Sequence, residues 1–162
     1  MGVKMIKVQD VQYIRLQAPD LDEMEAFLSR FGMHRSARTD TALYMRGTDA
    51  EHTIHITELG EPAFLGMAFN AASADDLGVI SQLDGASEVL DNDEPCGGKK
   101  VILSDPDGLK IEVIHGITEL DPIPVTDITP FNSGSRRRRV GPVVRSTPRP
   151  SQIKRLGHIV LR

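Results

Sequence analysis

The side chains able to do chemistry in this sequence are few, and their spacing limits what they can do. Glu112 lies in Ile111-Glu112-Val113-Ile114, a largely apolar run. A carboxylate there needs a neighbouring His or Arg, because burying it alone is costly. His52 and His55 stand three residues apart; on a strand that spacing puts them on opposite faces, so they form no chelating pair by themselves. Cys96, in Glu94-Pro95-Cys96-Gly97-Gly98, has no nearby His to activate it and reads as a bystander thiol. The Gly97-Gly98 pair lacks the strand-to-helix setting of a phosphate loop and reads as a turn. His158 falls in Gly157-His158-Ile159-Val160-Leu161-Arg162, a segment shaped like an opening strand. Two earlier segments share that shape, Gln12-Tyr13-Ile14-Arg15-Leu16-Gln17 and Gly66-Met67-Ala68-Phe69-Asn70, but neither carries a histidine there.

The elements around these residues repeat. Residues 7–17 partly alternate between apolar and polar, as a half-buried strand does. Asp20, with Glu23 three residues on, signals a helix start. Leu21, Met24, Phe27, Leu28 and Phe31 form an apolar stripe, and Gly32 is a natural stop. Strands are expected near 33–38, 42–46 and 52–58. The order then recurs: a strand at 64–71, a helix capped by Ser73 with Leu77, Ile80 and Leu83 as its stripe and Gly85 as its end, and strands near 86–90, 100–104 and 109–115. Asp105-Pro106-Asp107-Gly108 is strong turn chemistry. The plan is βαβββ twice, over 7–59 and 63–116, paired in one domain over 7–116 because each sheet must bury a face.

Composition narrows the classes. The chain has 162 residues, 40% hydrophobic and 26% charged, ordinary values for a globular protein with a real core. No apolar run approaches the roughly 18 residues of a membrane span, and the single cysteine fits a reducing cytoplasm. Residues 117–162 hold nine Lys/Arg against three Asp/Glu, whereas residues 1–116 hold ten against twenty. Arg136-Arg137-Arg138-Arg139 lies among Ser, Gly and Pro with a single aromatic residue, Phe131, in the tail. A solvated linker over 117–155 fits this better than a nucleic-acid surface. That connector and the last strand have little core of their own and are expected to be held by docking.

The paired βαβββ plan, the opening Tyr13-Ile14-Arg15-Leu16 with Ala18-Pro19-Asp20-Leu21, and the closing Asp105-Pro106-Asp107-Gly108 with Glu112 together resemble the vicinal oxygen chelate superfamily. That group includes glyoxalase I, bleomycin-resistance proteins and type I extradiol dioxygenases. The resemblance implies an α+β fold in which two modules form a cup, with metal ligands from the first and last strand of each. Carried onto this sequence, the cup-facing places are Tyr13, His55, Met67 and Glu112. Neutral tyrosine and thioether sulfur are weak partners for a hard or borderline divalent ion, so no metal is expected for residues 7–116 alone.

The resemblance is nearest to the metal-free N-terminal domain of a type I extradiol dioxygenase. The C-terminal domain of such enzymes opens with a Gly-His-hydrophobic strand whose His is the first iron ligand. It implies that 156–162 is the first strand of a truncated second domain. His158 would then be a ligand to Fe(II), with a second His and a Glu beyond residue 162. A catechol-type aromatic and O₂ are the implied substrates, cleaved beside the two hydroxyls in aromatic catabolism by a homo-oligomer. On that reading the 162 residues alone are inactive. The competing expectation is a glyoxalase-like or bleomycin-resistance-type protein that binds a small apolar ligand in the cup.

Overall fold

Strand β1 (Val8–Ala18) is the longest, and both halves of the fold are built on it. In the computed structural model, which describes residues 6–126 and 150–161, the chain continues through α1 (Leu21–Phe31), β2 (His34–Arg38), β3 (Ala42–Arg46) and β4 (His55–Leu59). The second unit is β5 (Ala63–Ala71), α2 (Ala74–Ile80), β6 (Leu90–Asp91), β7 (Lys99–Ser104) and β8 (Lys110–His115). One eight-stranded sheet results, in the order β2-β3-β4-β1-β5-β8-β7-β6. The units meet where β1 pairs antiparallel with β5; within each, the first strand pairs in parallel with the last. This is the α+β architecture of two βαβββ modules.

The chain entering α1 is held by Asp20, whose side chain accepts the N–H groups of Asp22 (2.8 Å) and Glu23 (3.0 Å). A cap of this kind contributes about 1 kcal/mol. Gly32 closes the helix at φ 106°, a conformation that L side chains resist. Leu21 and Leu28 are buried in a cluster with Met33, Leu43, Met45 and Ile54, against which Met24 packs. Phe27 and Phe31 sit at the far edge of the apolar arc; they stack on each other at 6.1 Å and stay mostly exposed. The core-facing stripe is therefore narrower than the sequence pattern.

Helix α2 is shorter than expected. Ser73 caps it by accepting the Asp76 N–H (3.3 Å), and Leu77 and Ile80 are buried against Val101 and Val113. It ends at Ile80, not Gly85, because the Gln82 and Leu83 N–H groups bond three residues back and tighten the chain. Leu83 is left exposed. The strand expected at 86–90 shrinks to Leu90–Asp91, since the Ser87 hydroxyl takes the Ile102 N–H that a ladder would use.

Residues 150–161 contain no strand, which corrects the one expected at 156–162. They form a strap. Ile153 and Leu156 pack on the α1 cluster. The Thr48 N–H donates to the Ile153 carbonyl (2.8 Å), the Asp49 N–H to Lys154 (3.2 Å) and the Ile153 N–H to Gly32 (3.3 Å), so these extended residues are satisfied by loops rather than a ladder. Ser151 Oγ donates to the Phe31 carbonyl. The strap lies so close that a Cβ on Gly47 would fall on the Lys154 carbonyl. Connector residues 127–149, with Arg136–Arg139, lie outside the described residues. No helix among the described residues is long and apolar enough to cross a membrane.

Candidate functional site

Both helices cover one face of the sheet: α1 lies on Leu43 and Met45, α2 on Val101 and Val113. The opposite face carries the polar chemistry. Strand alternation puts Tyr13 and Arg15 together on it, between two irregularities of the β1–β5 register, at Val11/Tyr13 and Arg15/Leu16. Ala68 lies opposite Tyr13, and Glu112 is the partner of Ala68 on the far side. A small residue in the middle strand lets the two larger ones meet over it. The Tyr13 hydroxyl donates to Glu112 Oε2 at 2.6 Å.

Arg15 is the hub of this face. Its Nη1 donates to Glu58 Oε1 (2.6 Å) and its Nη2 to Glu94 Oε1 (2.7 Å), with Glu112 Oε2 at 3.4 Å. The guanidinium lies 5.6 Å from the centre of the Tyr13 ring. Lys100 (3.2 Å) and Lys110 (2.9 Å) hold the other oxygen of Glu112. The Tyr44 hydroxyl donates to Glu94 Oε2. Three carboxylates thus face three cations, and the side chains of Arg15 and Glu112 are only 7% and 2% exposed. Tyr13, Ala42, Tyr44, Ile56, Ala68 and Ile114 form the apolar floor.

Burial alone would push the Glu112 carboxyl up. The Arg15 charge, the Tyr13 hydrogen bond and the two lysines outweigh it and bring it down to about 2. Burial, then Glu112, pushes the Tyr13 phenol far above its ordinary value, so it remains a neutral donor. Tyr44 is raised by burial and by Glu94 in the same way. Glu94 is lowered although burial opposes it, through Tyr44 and Arg15. Desolvation also opposes the Arg15 charge, and Glu112 and Glu94 overcome it. Tyr13, Arg15, Tyr44, Glu94 and Glu112 are each held in the protonation state their partners require.

Of the four expected cup-facing residues, the structure brings together Tyr13 and Glu112 and separates the other two. His55 pairs with Met45 and Ile14, and Ile14 pairs with Met67. Because Met45 lies in the α1 cluster, that row lies on the helix face. His55 and Met67 therefore do not face the cup. The counterpart of Glu112 is Ile56, one residue on from His55, since Arg15 pairs with Ile56 as Ala68 pairs with Glu112. His55 is buried, its Nε2 2.8 Å from Thr57 Oγ1, and burial brings its pKa down to about 4. Cys96 is also fully buried, beside the Asn92 amide (3.4 Å), and burial pushes its thiol up. His158 is exposed on the strap.

Arg15, Tyr44, Glu58, Glu94, Lys100 and Lys110 belong to the site without having been singled out from sequence. Arg15 had a signal: it stands two residues from Tyr13, on the same face, and Glu112 needs a cation. Glu94 had none, since a loop places it.

These residues do not fit a metal centre. Tyr13 is a neutral phenol, Glu112 has both oxygens occupied, and His55 is across the sheet. No group of three or more His, Cys, Asp or Glu among the described residues could hold an ion.

The sequence matches the Glyoxalase/Bleomycin resistance protein/Dioxygenase superfamily over residues 10–113. The chain belongs to this superfamily. No curated protein sequence matches it. Among solved structures, a Mn(II)-bound glyoxalase from Novosphingobium aromaticivorans has the same fold, with a TM-score of 0.67 and 21% identity over 75% of this chain and 44% of that one. Homoprotocatechuate 2,3-dioxygenase from Brevibacterium fuscum gives 0.65 and 20% over 73% and 40%. The Arthrobacter globiformis enzyme gives 0.64 and 15% over 72% and 38%. The superfamily member described here thus spans less than half of each of these relatives.

Proposed function

We propose that this chain is the metal-free module pair of an Fe(II)-dependent extradiol ring-cleavage dioxygenase acting on a catechol-type aromatic with O₂. The observation that carries the reading is the ionic network. Glu112 would be the natural ligand on this face, and Arg15, Tyr13, Lys100 and Lys110 consume its acceptor capacity. A pair of modules closed in this way serves as scaffold, while iron chemistry belongs to a second pair. The strap 150–161 would lead from one pair to the next, with His158 as the first iron ligand and its partners on sequence following Arg162. The likeness in fold to homoprotocatechuate 2,3-dioxygenase, of which this chain covers 40%, supports this arrangement.

The test uses a polypeptide extended past Arg162, with and without His158→Ala. The expected result is a folded variant that has lost both iron and catechol cleavage. Unchanged iron and turnover in the variant would overturn the reading. A glyoxalase-like or resistance-type ligand-binding protein would then stand in its place, and it would need no second pair.

A further inference from the structure

Glu94 differs in origin from every other member of the network. The sheet supplies Tyr13, Arg15, Tyr44, Glu58, Lys100, Lys110 and Glu112, whereas Glu94 hangs from the loop between β6 and β7. That loop has anchors besides the Glu94 carboxylate. The Asn92 N–H donates to the Gly98 carbonyl (2.9 Å), the Asn92 amide to Gly97 (2.8 Å) and the Thr118 N–H to Cys96 (2.9 Å). The Glu94 carboxylate reaches in to meet two donors, one per oxygen: Arg15 Nη2 at 2.7 Å and the Tyr44 hydroxyl. Its side chain is 15% exposed and borders an open cleft of about 500 Å³, also lined by Leu90, Asp91, Asp93 and Lys100.

Without this carboxylate, three cations would face only Glu58 and Glu112, and the Tyr44 hydroxyl would lose its acceptor. One negative charge with two oxygens, approached by a guanidinium N–H and a phenol O–H, describes a carboxylate. The geometry points to the Arg15–Tyr44 niche as a binding subsite for a small organic carboxylate, occupied here by the protein's own Glu94 as a tethered stand-in. With Glu94 displaced, a ligand would enter from the cleft beside it and lie over Tyr44, Ile56 and Ala68, which are buried here. This goes beyond the scaffold reading and does not depend on iron.

The test places Glu94→Ala in the full chain and uses propanoate as the probe, with propanamide as its uncharged isostere. Cys96, fully buried two residues from Glu94, reports on the loop through its reaction with the uncharged reagent 4,4′-dithiodipyridine. Cys96 should react about tenfold faster in the variant than in the parent, as loss of one charge-assisted contact to the loop implies. Propanoate should slow it again and raise the thermal midpoint; propanamide should do neither. Adding Tyr44→Phe should weaken propanoate binding. If Glu94→Ala does not fold, Glu94→Ser also vacates the niche and should likewise gain thermal stability from propanoate alone. Equal responses to acid and amide, no response to either, or indifference to Tyr44→Phe would each overturn the subsite, leaving Glu94 as a structural latch.

Discussion

Two neighbouring rows of the central sheet treat ionisable groups in opposite ways. On the face away from the helices, Arg15, Lys100 and Lys110 are paired with Glu58, Glu94 and Glu112, with Tyr13 and Tyr44 as neutral donors. On the helix face, the row through Met45, His55, Ile14, Met67 and Ile111 contains one ionisable group, and burial keeps it neutral. A step of one residue along a strand separates the two regimes. The same step separates a residue that could take part in binding from one that can only pack.

The largest effect is expected at the hub. Arg15→Ala leaves Glu112 and Glu94 buried with reduced compensation, and removing one partner of a buried ion pair costs about 3–5 kcal/mol. Urea unfolding should show that loss; a cost typical of a surface site would mean that solvent screens the network. The next effect separates the two faces by pH. His55 has its pKa lowered from 6.5 to about 4, so the unfolded chain takes up its proton first. Its contribution is whole above pH 6.5 and disappears as pH falls toward 4, on the order of 3 kcal/mol. Buried His52, lowered by desolvation and by Arg46, acts in the same direction. Glu112, lowered from 4.5 to about 2, loses its contribution only below pH 4.5. His55→Gln should therefore flatten the upper part of the acid titration of stability and leave the lower part steep. An unaltered upper part would break the contrast between the faces.

Two smaller effects sharpen the comparison. Tyr13→Phe removes a hydrogen bond to a buried carboxylate, a loss of about 1.5–3 kcal/mol, and should raise the Glu112 pKa as seen by carboxyl NMR. Gly47→Ala should displace the Lys154 carbonyl without reaching the network. The Thr48 and Asp49 amides, which donate to the strap, should then exchange faster while β1 amides do not.

Much of the fold was legible because local signals carry it. Asp20 and Gly32 mark the ends of α1, Ser73 starts α2, and Asp105 and Gly108 make the turn into β8, where Asp105 accepts the N–H groups of Asp107 (2.9 Å) and Leu109 (2.8 Å). The repeated order of elements then implies the pairing of modules. The site was legible only in part, because its faces are set by register. Aligning His55 with Glu112 slips the strand by one residue and exchanges its faces. Nothing local reveals that slip, since Ile54, His55 and Ile56 are all buried. The need of Glu112 for a cation could be inferred from its apolar strand, and Arg15 meets it from 97 residues away. The exposure of Phe27 and Phe31 depends on where the apolar arc of α1 meets the sheet, which the periodicity alone does not give.

The central claim is that this cup is closed by its own charges and is not a metal centre. Anaerobic titration of the chain with Fe(II) and Mn(II), followed by calorimetry, tests it directly in the parent and in Glu112→Gln. The account predicts no stoichiometric uptake that depends on Glu112, with the two proteins giving the same weak heats. One tightly bound ion per chain, lost in Glu112→Gln, would contradict it.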